Sequence, residues 1–318
     1  MIERLRQLKY VHKPDLLFKA LTAACALLVF VVMAGMGWEL LLNSRLSIEA
    51  FGLSFLFSDA WNPVTKQFGA LSSLYGTLVS TAIALVLAVP VSLVIALFLV
   101  ELAPPRLSRV VGAAIELLAA VPSIIFGMWG LFVFAPFMAD TVQPALGKAS
   151  PFLPLFKGPP MGIGYLTAGI ILALMILPFI SAVMRDVFLM TPAVLKEAAY
   201  GMGATTWEAT RKVTVRYGLL GLMGAAFLGL GRAIGETMAV TFVIGNSHAI
   251  SASLFDAGNS IASTLANEFT EASDPLYLSS LLELGLVLFL LTVVIQIVAQ
   301  WWIKRLGKDF APGAGGGV

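Results

Sequence analysis

The stretch GLGRAIGETMAVTFVIG, residues 229–245, sets two full charges among apolar residues. A charged side chain at the centre of a membrane helix costs about 2.5–3.5 kcal/mol on insertion scales. Arg232 and Glu236 are four positions apart, so on a continuous helix they share one face and can neutralise each other. Alternatively, the planar guanidinium of Arg232 offers a fork of donors to a passing oxyanion, and Glu236 weakens its hold. Both interpretations require a helix that carries these residues through a membrane.

The composition is that of an integral membrane protein. Of the 318 residues, 59% are hydrophobic and 12% are charged, whereas average soluble domains are about 45–50% apolar and about 25% charged. The net charge of +2 gives no reason to expect nucleic acid binding. Cys25 is the single cysteine, so an intrachain disulfide is excluded, and we expect it to be a small core residue in a helix. We expect no role for the isolated His12 and His248, and no catalytic, cofactor or metal cluster stands out.

Six apolar stretches are long enough to cross a membrane, which takes about 20 residues. Pro90, Pro122 and Pro178 interrupt three of them, and such prolines are tolerated where neighbouring helices satisfy the freed backbone groups. The sequence therefore predicts an all-α membrane protein with six transmembrane helices in a bundle. The predicted spans are 16–42, 71–100, 110–138, 162–184, 217–245 and 276–303.

The distribution of Lys and Arg predicts the orientation of the bundle. With the N-terminus inside, 15 of the 20 Lys and Arg residues fall in cytoplasmic segments and four in outer segments. Because inner loops are enriched in these residues, we expect both termini in the cytoplasm. The first apolar run exceeds the length of a signal-peptide core, so we interpret it as an uncleaved first span.

The most polar long stretch, residues 185–216, is predicted to form a helical hairpin outside the membrane. Thr191 before Pro192 is typical of a helix start, and two glycines shortly afterwards are typical of its end. Thr205 and Glu208 have the spacing of a capping box that opens a second short helix. Four apolar side chains that neither neighbouring span can cover indicate a docking surface, namely Val194, Leu195, Ala198 and Tyr200.

The segment EAAYGMG, Glu197 to Gly203, resembles the E-A-A-x-x-x-G core of the cytoplasmic loop in permease subunits of binding-protein-dependent ABC importers. Where that family usually has a proline after the loop, this chain has Arg216. Other segments resemble the permeases of phosphate importers, and one of the two permeases of that importer more than its sister. They are residues 115–137, 182–188, 229–246, 265–269 and 282–289, and the resemblance covers nearly all of residues 70–303.

This resemblance implies the type I ABC importer permease fold and a set of partners. A second, sister permease would pair with this chain in the inner membrane, two ATPase subunits would bind below, and a periplasmic phosphate-binding protein would dock above. The family's loop contacts the ATPases, so the coupling residues implied here are Glu197, Ala198, Ala199 and Gly203. The chain has no G-x-x-x-x-G-K-[ST] loop, so we expect a transport subunit that is not itself an enzyme.

The same resemblance makes Arg232 and Glu236 candidates for lining a phosphate path. The segment VPS, Val121 to Ser123, adds Ser123 as a candidate, because it could open this side chain and backbone carbonyls to the path. Glu116 and Glu283 lie nearer the ends of their predicted spans, where we expect each to make a hydrogen bond or an ion pair within the bundle. Five glycines are expected at close contacts between helices, namely Gly127, Gly130, Gly229, Gly231 and Gly235.

The predicted function is the permease subunit of an ATP-driven inorganic phosphate importer, with three segments. Residues 1–70 carry the first span and first outer loop, residues 71–303 form the permease domain with a coupling loop at 191–215, and residues 304–318 form a flexible tail. Two alternatives stay open. One is an ABC permease for another oxyanion, such as molybdate or sulfate, and the other is a stand-alone secondary transporter, which would more often show repeats within one chain.

Overall fold

The computed structural model describes residues 13–149 and 152–310, and the regular elements in these ranges are helices. His12 and the tail segment 311–318 lie outside the described residues. The helices in chain order are α1 Lys13–Asn43, α2 Arg45–Phe51, α3 Ser54–Phe57, α4 Leu71–Leu102, α5 Pro105–Ala119, α6 Ser123–Ala149, α7 Tyr165–Leu189, α8 Ala193–Gly201, α9 Thr206–Ile234, α10 Met238–Val243, α11 Ile261–Glu268 and α12 Pro275–Phe310. Helices α4, α6 and α9 include π-helical turns.

Within these residues, six helices are long and apolar enough to cross a membrane, namely α1, α4, α6, α7, α9 and α12. The predicted number of spans is therefore confirmed. Helix α8 belongs to a hairpin, residues 190–205, that defines the hairpin end of the bundle. The segments 44–70, 152–164 and 244–274 connect the spans at the opposite end, which we call the loop end. Helix α12 continues to Phe310, past the predicted start of the flexible tail.

The third span differs from the prediction of 110–138. Pro122 lacks an N–H and has an extended backbone, with ψ of 136°, so the helix cannot run through it. The chain instead forms the amphipathic α5, a turn, and then α6, which continues to Ala149. Glu116 therefore lies on α5 and not in a membrane span. Its predicted ion pair is confirmed, because Arg185 Nη1 of α7 lies 3.1 Å from Glu116 Oε1.

The fifth span also differs from the predicted single helix of 217–245. Helix α9 begins at Thr206, directly after the hairpin, so no separate second short helix exists there. It ends at Ile234, residues 235–237 are not helical, and α10 resumes at Met238. The interruption falls between the two charges that were expected to share a helix face.

Of the two helix starts predicted in the hairpin, one is confirmed. Thr205 Oγ1 accepts the Glu208 N–H at 3.3 Å, and Glu208 Oε2 accepts the Thr205 N–H at 3.1 Å, which forms the capping box. The predicted cap at Thr191 is wrong, because Pro192 occupies the N-cap position of α8. Within the described residues, the Thr191 hydroxyl is buried without a hydrogen-bond partner. The extended backbone of Pro192 separates Thr191 from the first turn of α8.

Helix α7 forms the centre of the bundle and is buried along most of its length. Its apolar side chains pack against small residues of α4 and α9, including Ala84, Ala88 and Ala225, which let the helices approach closely. Ser92 of α4 donates its hydroxyl proton to the Leu177 carbonyl of α7 at 3.1 Å. The central helix is thus held by close packing and by a polar contact inside the apolar layer.

Four of the five predicted glycine contacts are confirmed. A Cβ atom at Gly229 would lie 2.4 Å from Ile180 of α7, and one at Gly231 would lie 2.8 Å from Gln296 of α12. The other two confirmed positions are Gly127 and Gly130, which face α10. Gly235 is the exception, because the nearest atom to its Cβ position is the Gly231 carbonyl of the preceding turn, at 3.8 Å.

A half-buried carboxylate holds the loop end together. Glu268, at the end of α11, accepts hydrogen bonds from Trp61 Nε1 and from the Tyr277 hydroxyl at 2.7 Å, and His248 Nε2 lies 3.1 Å away. The rings of His248 and Trp61 stack with their centroids 5.4 Å apart. Burial raises the pKa of Glu268, but hydrogen bonds from His248, Tyr277 and Trp61 outweigh it and hold the pKa below its usual value. The expectation that His248 has no role is therefore wrong.

Of two further expectations about single residues, one is corrected and one is confirmed. Cys25 is exposed on α1 rather than packed in the core, because α1 is a peripheral helix whose surface the rest of the chain leaves open. Glu283 of α12 is buried, and its carboxyl group makes a side-chain hydrogen bond with Ser47 of α2, which confirms the expected contact between helices. Its Oε2 atom has no hydrogen-bond partner, and the residue makes no ion pair, within the described residues.

We predict that replacing Glu268 with Gln lowers the melting temperature of the purified protein. A Gln amide group can only donate from its nitrogen, so at least one surrounding donor loses its acceptor, at a cost of about 1–3 kcal/mol. The matched control is Asp274→Asn, which removes the exposed ion pair between Lys66 and Asp274. The control should shift the melting temperature far less. Equal shifts for the two variants would contradict the prediction.

The effect of Glu268 should also depend on pH with a definite sign. Its pKa is lower in the folded protein than the usual 4.5, so the ionised carboxylate stabilises the fold above that value. The contribution is lost as the pH falls through the lowered pKa. The difference in melting temperature between wild type and Glu268→Gln should therefore shrink on acidification below pH 4.5.

Candidate functional site

Arg232 lies in the last turn of α9 and is exposed on the surface of this chain. Its guanidinium carbon is 5.6 Å from the ring centroid of Phe179 on α7, which is a cation–π contact. Within the described residues it makes no ion pair. The positive charge therefore rests on an aromatic face and has no ionic partner in this part of the chain.

The predicted mutual neutralisation of Arg232 and Glu236 is wrong. The i, i+4 geometry requires a continuous helix, and α9 ends at Ile234, between the two residues. Glu236 Oε1 instead accepts the N–H of Ala239 at 3.1 Å. The carboxylate thus satisfies one of the free N–H groups at the start of α10, where a negative charge is also favoured by the helix dipole.

Contacts with neighbouring helices place Arg232 near the middle of the apolar layer. Phe179 is close to the midpoint of α7, and Gly229, one turn before Arg232, packs on Ile180 of the same helix. Because α7 is of membrane-spanning length, its midpoint is far from both ends of the bundle. An unpaired arginine at this depth is costly in lipid, so its exposed face must meet protein or water.

Ser123 is the first residue of α6 and is half-buried. One turn later, a Cβ atom at Gly127 would lie 3.0 Å from Ala239 Cα, so the beginning of α6 lies against the beginning of α10. The structure thus brings the first turn of α6 close to the interruption that contains Glu236. Arg232 lies on the other side of that interruption, at the end of α9.

Helix α8 carries the residues that the family resemblance assigns to coupling. Glu197 and Ala198 are exposed, whereas Ala199 is buried. The Ala199 carbonyl accepts the N–H of Ala204 at 3.0 Å, which closes the turn after the helix. Gly203 has φ of +85°, a left-handed conformation that favours glycine. The outward-facing positions are therefore Glu197 and Ala198, and the other two residues shape the turn.

A row of apolar side chains projects from the hairpin end without cover. Met202 is 85% exposed and Trp207 67% exposed, and the remaining members are Val194, Leu195 and Tyr200. Contiguous exposed apolar surface of this kind marks interaction sites. The predicted uncovered surface is confirmed, and Met202 and Trp207 extend it beyond the residues that the sequence singled out.

One charged cluster was missed by the sequence analysis. Glu101, at the end of α4, lies beside α8 and α9, where Lys196 Nζ is 2.6 Å and Thr214 Oγ1 is 2.9 Å from its Oε1 atom. The available signal was an acidic residue at the end of an otherwise apolar span. Its partners lie far away in the sequence, so the local pattern does not identify them.

The described residues contain six helices of membrane-spanning length, an arginine at mid-depth without an ion pair among these residues, and an uncovered apolar hairpin. These are the features of a helical membrane permease that works within a larger assembly. Residues 88–309 match the family described as binding-protein-dependent transport system inner membrane component. The chain belongs to this family, and it is a multi-pass inner-membrane protein.

Individual relatives are similar over almost the whole chain. The phosphate transport system permease protein PstC of Mesorhizobium japonicum is 53% identical over 296 residues, covering 92% of this chain and 90% of the relative. PstC of Pasteurella multocida is 52% identical over 301 residues, covering 93% and 94%.

Two solved structures share the fold at low sequence identity. A chain of a bacterial ABC transporter involved in the import of the acidic polysaccharide alginate has a TM-score of 0.61 at 13% identity, covering 92% of this chain and 98% of that chain. A chain of the inward-facing MetNI methionine ABC transporter has a TM-score of 0.54 at 22% identity, covering 74% and 94%. The fold is that of type I ABC importer permeases, as predicted.

Proposed function

We propose that this chain is the membrane-spanning subunit of an ATP-driven importer of inorganic phosphate and forms half of its translocation path. The observation that carries the proposal is Arg232, an exposed guanidinium at mid-depth without an ionic partner in the described residues. Relatives named as phosphate transport permeases, at 52–53% identity, support phosphate as the substrate. As a permease subunit, the chain is a transport protein and not an enzyme.

Arg232 and Ser123 supply the chemistry of the proposed path. Arginine stays charged at every relevant pH and presents a planar fork of donors to phosphate oxygens. Ser123 stands at the N-terminus of α6, where free backbone N–H groups and the positive end of the helix dipole favour an anion. Interrupted membrane helices with this arrangement are typical of substrate sites in transporters.

Glu236 is proposed to limit how tightly the path holds phosphate. Its carboxylate caps α10 and makes no ion pair with Arg232. A fixed negative charge near the path still opposes the binding of an anion, because like charges repel strongly where the dielectric constant is low. Transport requires a site weak enough to release its ion. Glu236 would therefore favour release while Arg232 favours capture.

Helix α8 is proposed as the coupling element. Its apolar face, together with Met202 and Trp207, is uncovered in this chain and is suited to a cleft on an ATPase subunit. Glu197 can pair with a basic group of that partner, and the small side chain of Ala198 permits close approach. Gly203 would keep the turn compact through its left-handed backbone conformation, and the buried Ala199 through its carbonyl, which accepts the Ala204 N–H.

The proposed partners are a PstA-like second permease, two PstB-like ATPase subunits and a PstS-like periplasmic phosphate-binding protein. Arg232 lies on an exposed surface of this chain, so a second permease is needed to enclose the path and to exclude lipid from it. The ordered segments of the loop end, including α2, α3 and α11, offer the surface for the binding protein.

The proposed orientation puts the hairpin end and both termini in the cytoplasm. This follows from the excess of Lys and Arg in the segments at that end. We retain the division into residues 1–70, a permease domain at 71–303 and a tail from 304. The family match over residues 88–309 supports the position of the central domain.

The alternatives differ in how well these findings support them. A stand-alone secondary transporter is disfavoured, because the chain belongs to a family of binding-protein-dependent components. Importers of molybdate or sulfate would use the same machinery, so the choice of phosphate rests on the names of the relatives.

The substrate is tested by competition in reconstituted vesicles that contain the whole importer. Uptake of labelled phosphate should be reduced by excess unlabelled phosphate and should be insensitive to the same excess of molybdate or sulfate. Displacement of phosphate by molybdate or sulfate would overturn the assignment.

Substituting Arg232 with Gln should reduce phosphate uptake by about 10- to 150-fold, because hydrogen bonds to charged groups contribute about 1.5–3 kcal/mol. The assembled complex should still be recovered with its ATPase subunits. Arg45→Gln is the control, since Arg45 is exposed outside the spans and pairs with Glu49. Normal uptake by the Arg232 variant would exclude the proposed path.

Ala198→Arg should prevent the ATPase subunits from co-purifying with this chain, because a long charged side chain blocks the close approach. The matched control, Ala249→Arg, introduces the same side chain at an exposed alanine of the loop end and should leave ATPase binding unchanged. Recovery of equal amounts of ATPase with both variants would place the coupling surface elsewhere.

A further inference from the structure

Three helices that are separate in the sequence meet at one carboxylate oxygen. Glu101 Oε1, at the end of α4, lies 2.6 Å from Lys196 Nζ of α8 and accepts a hydrogen bond from the Thr214 hydroxyl of α9 at 2.9 Å. Only 8% of the Glu101 side chain and 21% of the Lys196 side chain are exposed, and Thr214 is fully buried. This cluster stands behind the surface of α8 that is proposed to contact the ATPase.

The cluster ties α8 to a helix that is not its neighbour in the chain. Short segments connect α8 covalently to α7 and α9, whereas α4 is linked to it across 95 residues by the ion pair. A half-buried ion pair resists separation, because each charge left behind would lack a partner in a poorly solvated site. A shift of α8 must therefore move the end of α4 with it or break this contact.

Local backbone geometry supports a role beyond packing. Glu101 lies in the π-helical turn Phe98–Leu102, and Thr214 lies in the π-helical turn Thr210–Thr214. Such turns are rare, are less favourable than a regular α-helix, and often occur at functional sites. Here two of them meet, and together they direct a carboxylate and a hydroxyl towards each other beneath α8.

Helices α4 and α9 both run from the cluster into the bundle. Helix α4 packs on the central α7, with Ser92 bonded to the Leu177 carbonyl, and α9 runs from Thr214 to Arg232. We infer that Glu101 is a positioning residue that couples displacement of α8 to α4 and α9, so that ATPase movement reaches the phosphate path. The inference rests on the proposed contact between α8 and the ATPase subunits.

The test measures phosphate transported per ATP hydrolysed in vesicles containing the complete importer. Glu101→Gln and Lys196→Met each remove one charge of the pair, and the double variant leaves no unpaired charge. In the double variant, recovery of the complex and ATP hydrolysis stimulated by the binding protein should stay close to wild type. The ratio of phosphate to ATP should fall about tenfold or more, within the range usual for coupling between sites.

The matched control is Glu116→Gln, which removes an ion pair with Arg185 near the same end of the bundle without touching α8. It should keep the wild-type ratio, and the conservative Glu101→Asp should keep part of the coupling.

The experiments distinguish failure of this inference from failure of the proposed function on which it rests. If the double variant transports phosphate at the wild-type ratio, or if uptake and hydrolysis fall together at a constant ratio, Glu101 is only structural and the inference is overturned. If the ATPase subunits do not associate with the wild-type chain, the proposed function itself fails.

Discussion

An unpaired charge is costly inside a membrane, and the placement of most charged groups in this chain follows from that cost. Glu101 has Lys196 within ion-pair distance, and Glu268 is surrounded by donors from three other residues. Arg232 departs from this rule, because its guanidinium has an aromatic ring beneath it and no carboxylate partner in the described residues. Because this guanidinium is open at mid-depth, the structure supports a role for it in binding an anion.

The cost of leaving a polar group unsatisfied in lipid also constrains the backbone. Interrupting a membrane helix frees N–H and C=O groups that lipid cannot satisfy, so interruptions are tolerated inside a bundle or beside water. The interruption before α6 and the one between α9 and α10 meet each other across the contact of Gly127 with Ala239. The carboxylate of Glu236 satisfies one of the freed groups. Glu236, which could have been the counter-charge of Arg232, thus satisfies a backbone group that the break in the helix leaves free.

Local rules predicted a large part of this structure. Hydropathy was sufficient for six spans, and the capping box and the uncovered hairpin surface follow from residue types at short spacing. The bounds of the third and fifth spans were predicted incorrectly, because an interruption of the helix within an apolar run does not change the hydropathy. Cys25 was misassigned for a related reason, since lipid-facing and core positions have the same apolar composition. The contacts of Glu101 and His248 depend on tertiary packing, which no local pattern encodes.

The two ends of α9 connect the coupling region with the proposed path. Thr214 lies near the hairpin end, Arg232 lies one turn or less from the break, and between them the helix is uninterrupted. At 1.5 Å per residue this segment is about 27 Å long, so it can carry a displacement from the hairpin end to the depth of Arg232. Glu236 lies within the break, and its carboxylate is hydrogen-bonded to α10, so a movement of α9 would change the separation of Arg232 and Glu236. On a continuous helix that separation would be constant, and a movement of α9 would leave the proposed balance between capture and release unchanged.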